Sequence, residues 1–577
     1  MPANLTVQPS FEDVTSIVEA GRKLSNAPNL IPVTASISSE FLTPSSIYLK
    51  IAAHSTSNLS FLFESAATTE TIGRYSFVGA DPRETLTSGP SHGFEGDPLP
   101  RLDEQLSKYR VAEIPSLRLP PMTGGAIGYV GYDCVMYFEP KTKRPMKDVL
   151  EVPESLFMLY DTIVAVDHFF QKVMVITYLH VPGKDEDAGK DALAQAYEAC
   201  RKTIANILKI LKQTDVPLPP QGSVNLDQQY TSNIGRPGYE AHVTKLKQHI
   251  VAGDIIQAVP SQRIARPTDL HPFNIYRHLR TVNPSPYLFY LDCAGFQIVG
   301  ASPELLVKAE PTPGGKTRII NHPIAGTVKR GATPAQDAEL AATLRASLKD
   351  RAEHVMLVDL ARNDVNRVCD PLTTKVEKLM VVQRFSHVQH LVSEVSGMLR
   401  EGKTRFDAFR SIFPAGTVSG APKVRAMELI AELEEEKRGV YAGAVGYFGF
   451  NTVNVHETTS SSDHTEMVRG VETEGAMDTC IALRTMLVKQ GVAYLQAGGG
   501  IVFDSDEGEE YEETMNKAAA NMRCIEQAEQ LHWEEQREEG RLDDGGVVDG
   551  EGKEKGTGQV AVEGKGVVGK GKVRVGD

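Results

Sequence analysis

Thr162-Ile163-Val164-Ala165-Val166 is one of three short runs that decide the fold class; the others are Ser60-Phe61-Leu62-Phe63-Glu64 and Tyr75-Ser76-Phe77-Val78-Gly79. All three are rich in β-branched and aromatic residues, and Gly, Pro and Asp punctuate the chain around them, which is typical of short strands. Further along, helical patterns such as 188–213 mix with similar runs without a regular strand–helix alternation. This mixture predicts an α+β protein with antiparallel sheets rather than a doubly wound parallel sheet.

The composition limits the class of protein and its partners. The chain has 577 residues, 41% of them apolar, so it can bury a large core. Its formal net charge of −14 argues against nucleic acid or an anionic membrane as the main partner. It does not argue against a small anionic substrate, which responds to a few local Arg and Lys side chains.

The compartment is predicted from the cysteines and from missing apolar segments. Six cysteines are scattered without C-x-x-C or Cys/His spacing, which favours reduced thiols. No apolar run reaches the length of a transmembrane helix, and the first residues show no secretory-signal pattern. A cytosolic location is therefore expected.

Changes in composition along the chain predict its organisation. Residues 1–45 are expected to lead into the fold, 46–220 form a strand-rich block, and 235–530 mix helices with short strands. Within the second block, 451–477 is polar and rich in acids and Ser, which predicts a surface loop. The stretch 541–577 has few large apolar residues and is expected to be disordered.

Two predicted helices carry carboxylates three residues apart. Asp350 and Glu353 share one helix face, and Glu510 and Glu513 share another, with Lys517 four residues further along. Most such pairs are solvated surface, but here an apolar stretch follows the first pair and a glycine turn precedes the second. Mg²⁺ prefers oxygen ligands and keeps several waters. Two facing pairs of this kind therefore predict a magnesium site.

Two glycine turns are candidates for holding an anion. One is Gly498-Gly499-Gly500, and the other lies in 416–423, directly before a helical run. Successive backbone N–H groups in a turn, or at the start of a helix, can surround a carboxylate. As bare patterns, most glycine turns are only turns.

Nine segments between about 250 and 520 resemble, in order, those of the chorismate-utilising enzymes. They lie at 254–263, 301–304, 323–327, 353–364, 388–393, 416–423, 478–485, 496–501 and 510–517. The resemblance implies a large two-part fold of mainly antiparallel β-sheets, packed as a sandwich with flanking helices. It also implies chorismate as the substrate.

The resemblance further implies a role for each matching residue. Four carboxylates match the Mg²⁺ positions, although position 350 is more usually Glu: Asp350, Glu353, Glu510 and Glu513. The positions that match contacts to chorismate are Gly326, Thr327, Tyr441, Arg484, Gly498, Gly499, Gly500 and Lys517. His390 matches the catalytic histidine, Thr417 a hydroxyl contact at the reacting substrate, and Glu304 the acid for the hydroxyl that leaves ring carbon 4.

Two positions separate the reactions of this family. Relatives that add water carry a Lys base where this chain has Gln257, and Gln cannot take a proton, so ammonia fits better as nucleophile. Relatives that aminate ring carbon 4 carry a nucleophilic Lys at the position of Ala325. What remains is attack of ammonia on carbon 2 with loss of the carbon-4 hydroxyl, followed by elimination of pyruvate. This is the reaction of anthranilate synthase large subunits, the first committed step of tryptophan synthesis.

Two alternatives stay open at this point. One is another chorismate enzyme, such as aminodeoxychorismate or isochorismate synthase. The other is a non-catalytic homologue that senses tryptophan or binds a glutaminase.

The resemblance also implies a partner and an inhibitor. None of the six cysteines lies in the Gly-flanked turn that a glutaminase nucleophile needs, so a separate glutaminase subunit is expected to supply ammonia in a hetero-oligomer. Segments 61–65 and 73–76 resemble tryptophan-binding segments, with Glu64 as acceptor for the effector's ammonium. The full set expected to bind L-tryptophan is Glu64, Ser65, Arg74, Pro286, Tyr287, Val445 and Tyr447.

Overall fold

The structure is a computed structural model that describes residues 6–65, 73–182, 189–312, 315–385, 388–459 and 469–538. The segment 541–577, expected to be disordered, lies outside these residues.

The described residues form twelve α-helices and 26 β-strands, with three short 3₁₀ turns. The helices are α1 (Phe11–Gly21), α2 (Pro44–Ala52), α3 (Pro98–Ser107), α4 (Val135–Phe138), α5 (Gly189–Leu211), α6 (Gly235–Val251), α7 (Pro272–Val282), α8 (Pro334–Ala346), α9 (Leu348–Asn366), α10 (Arg405–Ile412), α11 (Lys423–Glu434) and α12 (Glu507–Glu538). The first thirteen strands are β1 (Leu30–Ser38), β2 (Leu59–Glu64), β3 (Tyr75–Ala80), β4 (Glu84–Ser88), β5 (Arg110–Ala112), β6 (Gly125–Val130), β7 (Ser155–Tyr160), β8 (Thr162–Asp167), β9 (Lys172–His180), β10 (Thr231–Ser232), β11 (Gln257–Ala258), β12 (Ser261–Pro267) and β13 (Tyr287–Cys293). The others are β14 (Gln297–Ser302), β15 (Leu305–Pro311), β16 (Thr317–Asn321), β17 (Ile324–Lys329), β18 (Lys375–Arg384), β19 (Val388–Met398), β20 (Gly420–Ala421), β21 (Ala444–Phe448), β22 (Asn451–Thr459), β23 (Arg469–Thr473), β24 (Met477–Ile481), β25 (Thr485–Lys489) and β26 (Val492–Gly498).

Two large, mainly antiparallel sheets carry the fold. The fourteen-stranded sheet has the order β10-β12-β26-β25-β14-β13-β2-β3-β8-β9-β1-β5-β22-β23. The ten-stranded sheet has the order β17-β19-β16-β15-β24-β21-β6-β7-β4, with β18 also pairing with β19. A separate two-stranded ladder joins β11 to β20.

The sheets pack face to face around one apolar core. Phe61 and Phe289 of the larger sheet share this inter-sheet core with Met158, Val445 and Tyr447 of the smaller one. The outer face of the larger sheet packs against α5, α7 and α12, and that of the smaller sheet packs against α9 and α10. The predicted α+β sandwich with flanking helices is confirmed.

Several predicted elements match the structure closely. The three quoted runs are β2, β3 and β8, and the helical pattern at 188–213 is α5. The first helix begins where Ser10 and Asp13 form a capping box, each side chain bonding the other's backbone N–H. Local chemistry is therefore sufficient to define these elements.

Two predictions about organisation are wrong. Residues 1–45 do not merely lead into the fold, because β1 pairs with β9 over nine residues, from Leu30 opposite His180 to Ser38 opposite Lys172. The stretch 451–477 is not a loop, because β22 pairs with β23 and with β5 at a sheet edge. In β22 the buried, apolar Val453 has a polar residue on each side, and such alternation is typical of a strand. Only 460–468 of this stretch lie outside the described residues.

The two sequence blocks also share their sheets. Strand β13 pairs with β2, and β21 pairs with β6, so both sheets take strands from both blocks. Within the described part of the chain, no helix is long and apolar enough to cross a membrane.

Candidate active site

The predicted catalytic and substrate residues come from elements distant in sequence. Helices α9 and α12 carry the two carboxylate pairs, and β17 and β19 carry Gly326, Thr327 and His390. The turn after β26 supplies Gly498 to Gly500, whereas Gln257 lies in the small ladder.

The four predicted metal carboxylates influence one another across the two helices. Burial raises the pKa of Glu353; Lys517 and a hydrogen bond from Gln257 oppose this, while the charges of Glu513 and Asp350 add to it. Burial likewise raises the pKa of Glu510; a hydrogen bond from Ser505 opposes this, and the charge of Glu513 adds to it. Such a site gains stability when a cation offsets the shared negative charge.

A metal ion fits this site if substrate or water completes its ligands. Glu510 Oε1 accepts a hydrogen bond from Ser505 Oγ at 2.6 Å, whereas Glu510 Oε2 is buried and has no hydrogen-bond partner. Among the residues that the structure describes, no group of three or more His, Cys, Asp or Glu side chains is arranged so that it could hold a metal ion by itself. Mg²⁺ commonly takes few protein ligands and keeps waters or substrate oxygens, so the open carboxylate set is compatible with it.

The glycine turn lies against these carboxylates. A Cβ on Gly499 would lie 2.8 Å from Glu510 Oε2, and one on Gly500 would overlap the Gln257 amide. A larger residue at either position would have to displace the end of the Glu510 or Gln257 side chain from its place in the site. The Gly499 N–H donates to Tyr239 Oη at 3.1 Å, so this amide is already engaged rather than free for an anion.

The predicted substrate cations are close to the same turn. Lys517 Nζ lies 2.6 Å from Glu513 Oε1 and donates to the Gly498 carbonyl at 3.0 Å. Arg484 Nη1 donates to the Lys517 carbonyl at 2.6 Å. Burial lowers the pKa of Arg484, with the charges of Tyr441 and Glu513 opposing that effect. Both predicted substrate cations therefore lie beside the same glycine turn, each engaged by a neighbouring protein group.

His390 lies beside the predicted substrate contacts of β17. Its Nδ1 is 2.9 Å from Thr327 Oγ1 and 3.3 Å from the Gly326 carbonyl, which can only accept. Burial lowers the pKa of His390 to about 4; the bond to Gly326 opposes this and Arg484 adds to it. The imidazole is therefore neutral at pH 7, and the same burial makes it a weaker base than a free histidine.

Glu304 is a buried carboxylic acid whose pKa is raised, whereas the pKa of His390 is lowered. Its carboxyl group is buried and receives the Thr417 hydroxyl at 3.2 Å to Oε1 and 3.3 Å to Oε2. Burial raises the pKa of Glu304 to about 8, although bonds from Thr417 and the Ile324 backbone oppose the rise. A carboxyl group that keeps its proton at neutral pH fits the predicted role as an acid.

Gly326 joins the histidine side of the site to α9. It has φ of +75°, and a Cβ there would lie 3.2 Å from both Cβ and Oδ1 of Asp350. Both the backbone angle and the contact favour glycine.

The predicted effector residues are only partly brought together. Tyr287, Val445 and Tyr447 contribute to the inter-sheet core. Ser65, next to Glu64 in the chain, and Pro286, next to Tyr287, are half-buried. Glu64 is not with them: it accepts hydrogen bonds from Tyr276 and Arg280. Arg74 instead pairs with Asp167 at 3.0 Å, and half of its side chain is exposed.

Residues that the sequence did not single out complete the site. Tyr239 fixes the glycine turn and Ser505 binds Glu510. No sequence pattern predicts either role, because Tyr239 looks like an apolar position of a helix and Ser505 looks like an ordinary turn residue.

Comparisons with known proteins agree with this geometry. The sequence matches the chorismate binding enzyme family over residues 58–455 and 468–523. It is 55% identical over 536 residues to anthranilate synthase component 1 of Saccharomyces cerevisiae, covering 92% of this chain and 98% of that protein. It is 52% identical over 526 residues to the probable anthranilate synthase component 1 of Schizosaccharomyces pombe, covering 91% and 99%.

Solved structures give the same fold. Anthranilate synthase component I from Streptococcus pneumoniae TIGR4 superposes with a TM-score of 0.63 at 35% identity, covering 79% of this chain and 94% of that one. MenF, the menaquinone-specific isochorismate synthase of Escherichia coli, superposes with a TM-score of 0.62 at 17% identity, covering 89% and 99%. The second likeness concerns the fold alone.

Proposed function

The chain belongs to the chorismate-binding enzymes, in the anthranilate synthase component 1 family, and we propose that it converts chorismate and ammonia into anthranilate and pyruvate. The observation that carries the choice of reaction is Gln257. Its Nε2 lies 3.5 Å from Glu353 Oε1, inside the carboxylate site, where a water-adding enzyme would need a base.

The side chains of the site support a direct attack of ammonia. Glu304 holds a proton at neutral pH and can give it to the hydroxyl that leaves ring carbon 4. His390 is neutral and can accept a proton as the ring becomes aromatic. Arg484 and Lys517 hold the carboxylates of chorismate. Positioning of the substrate and electrostatic stabilisation supply most of the rate enhancement.

Magnesium is part of the proposal. Asp350, Glu353, Glu510 and Glu513 would hold Mg²⁺, which when bound supplies positive charge for the ring carboxylate of chorismate. The unpaired, buried Oε2 of Glu510 supports this assignment.

We also propose a glutaminase partner, cytosolic location and feedback inhibition by L-tryptophan. All six cysteines are buried free thiols, which suits a reducing compartment and leaves no exposed nucleophile for a glutaminase reaction in this chain. Glutamine alone should therefore give no product, and the partner subunit should restore it.

The main test is product formation by the purified chain. Chorismate, Mg²⁺ and ammonium should yield anthranilate, followed by its fluorescence, and pyruvate in equal amounts. A 4-amino or a hydroxylated product would instead identify another chorismate enzyme and overturn the proposal.

The metal assignment has its own test. Glu353→Gln and Glu513→Gln should each abolish turnover because each removes a ligand charge. Glu512→Gln is a matched control, since this neighbour is exposed and pairs with Arg236 on the surface. Full activity in Glu353→Gln or Glu513→Gln would refute the metal site.

A further inference from the structure

A second carboxylate, that of Asp478, lies on the inter-sheet face beside two of the proposed effector residues, Tyr287 and Tyr447. In the ten-stranded sheet, Asp478 lies directly opposite Tyr447 on one side and Lys308 on the other. Directly paired residues project from the same face of a sheet. Because Tyr447 packs in the inter-sheet core, Asp478 also faces the larger sheet.

A hydrogen bond across the sandwich confirms this placement. Tyr287 Oη, from the larger sheet, donates to Asp478 Oδ1 at 3.1 Å. Tyr287 immediately precedes Leu288, which pairs with Glu64, so Tyr287 projects to the face opposite to that of Leu288 and Glu64, which is the inter-sheet face. Asp478 therefore lies on the inter-sheet face together with Tyr287 and Tyr447.

Asp478 retains the capacity to bind a cation. Its Oδ2 is 4.0 Å from Lys308 Nζ, which is beyond hydrogen-bond distance, and that ammonium is closer to Glu310 Oε1, at 2.6 Å. A carboxylate offers about four acceptor sites, and Tyr287 occupies one. Burial raises the pKa of Asp478 to about 6, with Lys308 and Tyr287 opposing the rise, so the group is still charged at pH 7.

Glu64 does not have this capacity. It is paired with Leu288 and projects to the opposite face, where Oε1 accepts from Tyr276 Oη at 2.7 Å and Oε2 from Arg280 Nη2 at 3.1 Å. Only 6% of its side chain is exposed. A ligand's ammonium would have to displace Arg280 to reach it.

We infer that Asp478 accepts the ammonium group of the amino-acid effector, an inference that rests on the proposed regulation by tryptophan. The ligand class is an α-amino acid with a large apolar side chain. Its ammonium binds Asp478, and its side chain packs against Tyr287, Val445 and Tyr447.

The test compares two carboxylates and three ligands. Asp478→Asn should weaken inhibition by tryptophan about tenfold to a hundredfold, the range for losing a hydrogen bond between charged groups, and should leave ammonium-dependent turnover unchanged. Glu64→Gln should change inhibition by less than about threefold. Calorimetric titration of each variant with tryptophan gives the same comparison without turnover.

Tryptophan analogues show which group of the ligand meets Asp478. Indole-3-propionate lacks the ammonium and should bind the parent chain at least about tenfold more weakly than tryptophan. Asp478→Asn should lose that preference. Tryptamine keeps the ammonium but lacks the carboxylate, so its binding should weaken in Asp478→Asn as that of tryptophan does.

The outcomes separate the two proposals. A parent chain that tryptophan neither binds nor inhibits would overturn the proposed regulation and this inference together. Normal inhibition of the parent chain with equal inhibition of Asp478→Asn would overturn the inference alone. If Asp478→Asn does not fold, Tyr287→Phe, which removes the hydroxyl that orients Asp478, should weaken tryptophan binding; unchanged binding would then overturn the inference.

Discussion

The Thr417 hydroxyl should control the pH at which the enzyme loses activity. Thr417 donates to both oxygens of Glu304, and this bond stabilises the charged carboxylate. Thr417→Val removes the hydroxyl, so the pKa of Glu304 should rise further above its value of about 8. Because the protonated form is the active acid, the descending alkaline limb of kcat/KM should move to higher pH.

The size of the shift can be worked out from the contact. A hydrogen bond to a charged group contributes about 1.5–3 kcal/mol, and one pKa unit corresponds to about 1.4 kcal/mol. The two contacts of 3.2 and 3.3 Å are long for an O–H donor and share one proton. We therefore take the lower end and expect a shift of about one pH unit.

The assay is kcat/KM for chorismate between pH 6 and 10, followed by anthranilate fluorescence. Because ammonia itself titrates, the concentration of the unprotonated form must be held constant across the series. Thr417→Ser keeps a hydroxyl and is the matched control, whose limb should stay in place. Glu304→Gln should lower the rate about 10²–10⁴-fold and remove the limb.

If the alkaline limb of kcat/KM in Thr417→Val lies at the same pH as in the parent enzyme, or at a lower pH, this reasoning is refuted. The first outcome would show that another group controls the limb. The second would show that the hydroxyl stabilises the protonated carboxyl group instead.

Three further changes test separate contacts. Gly326→Ala places a Cβ against Asp350 at a positive φ, so kcat/KM for chorismate should fall about tenfold to a hundredfold in steady-state assays. Tyr239→Phe leaves a buried N–H of the glycine turn without its partner, at a cost of about 1–3 kcal/mol, so KM for chorismate should rise. Arg438→Met leaves the buried Glu434 charge unpaired, so urea denaturation should show a loss of about 3–5 kcal/mol in unfolding free energy.

For each of these three substitutions, one result would contradict the prediction. Parent-level kcat/KM in Gly326→Ala would mean that the backbone relaxes without moving α9. An unchanged KM in Tyr239→Phe would mean that the turn does not depend on this bond. An unfolding free energy within about 1 kcal/mol of the parent value in Arg438→Met would show that Glu434 takes up a proton at little cost.

Local patterns predicted the elements well and their assembly less well. Periodicity and capping chemistry were enough for β2, β8 and α5. The carboxylate pairs were predictable because i, i+3 spacing fixes a helix face. The sequence does not predict the place of strand β1 in the sheet, because that place depends on pairing with β9, about 140 residues away. Residues 451–477 do not stand out as strands in the sequence, because their overall polarity hides the apolar position at Val453.

The effector residues show that a sequence motif alone predicts side-chain positions less well than the motif combined with the geometry of a strand. Glu64 and Ser65 are adjacent, so a motif treats them as one unit, but successive residues of an extended segment project to opposite faces. That rule separates the Glu64 carboxylate, which bonds Tyr276 and Arg280, from the inter-sheet face that Tyr287 reaches. The acid that the structure places there, Asp478, bonds Tyr287 across 191 residues of chain. No local pattern predicts such a pair, because it exists only once two sheets have packed on each other.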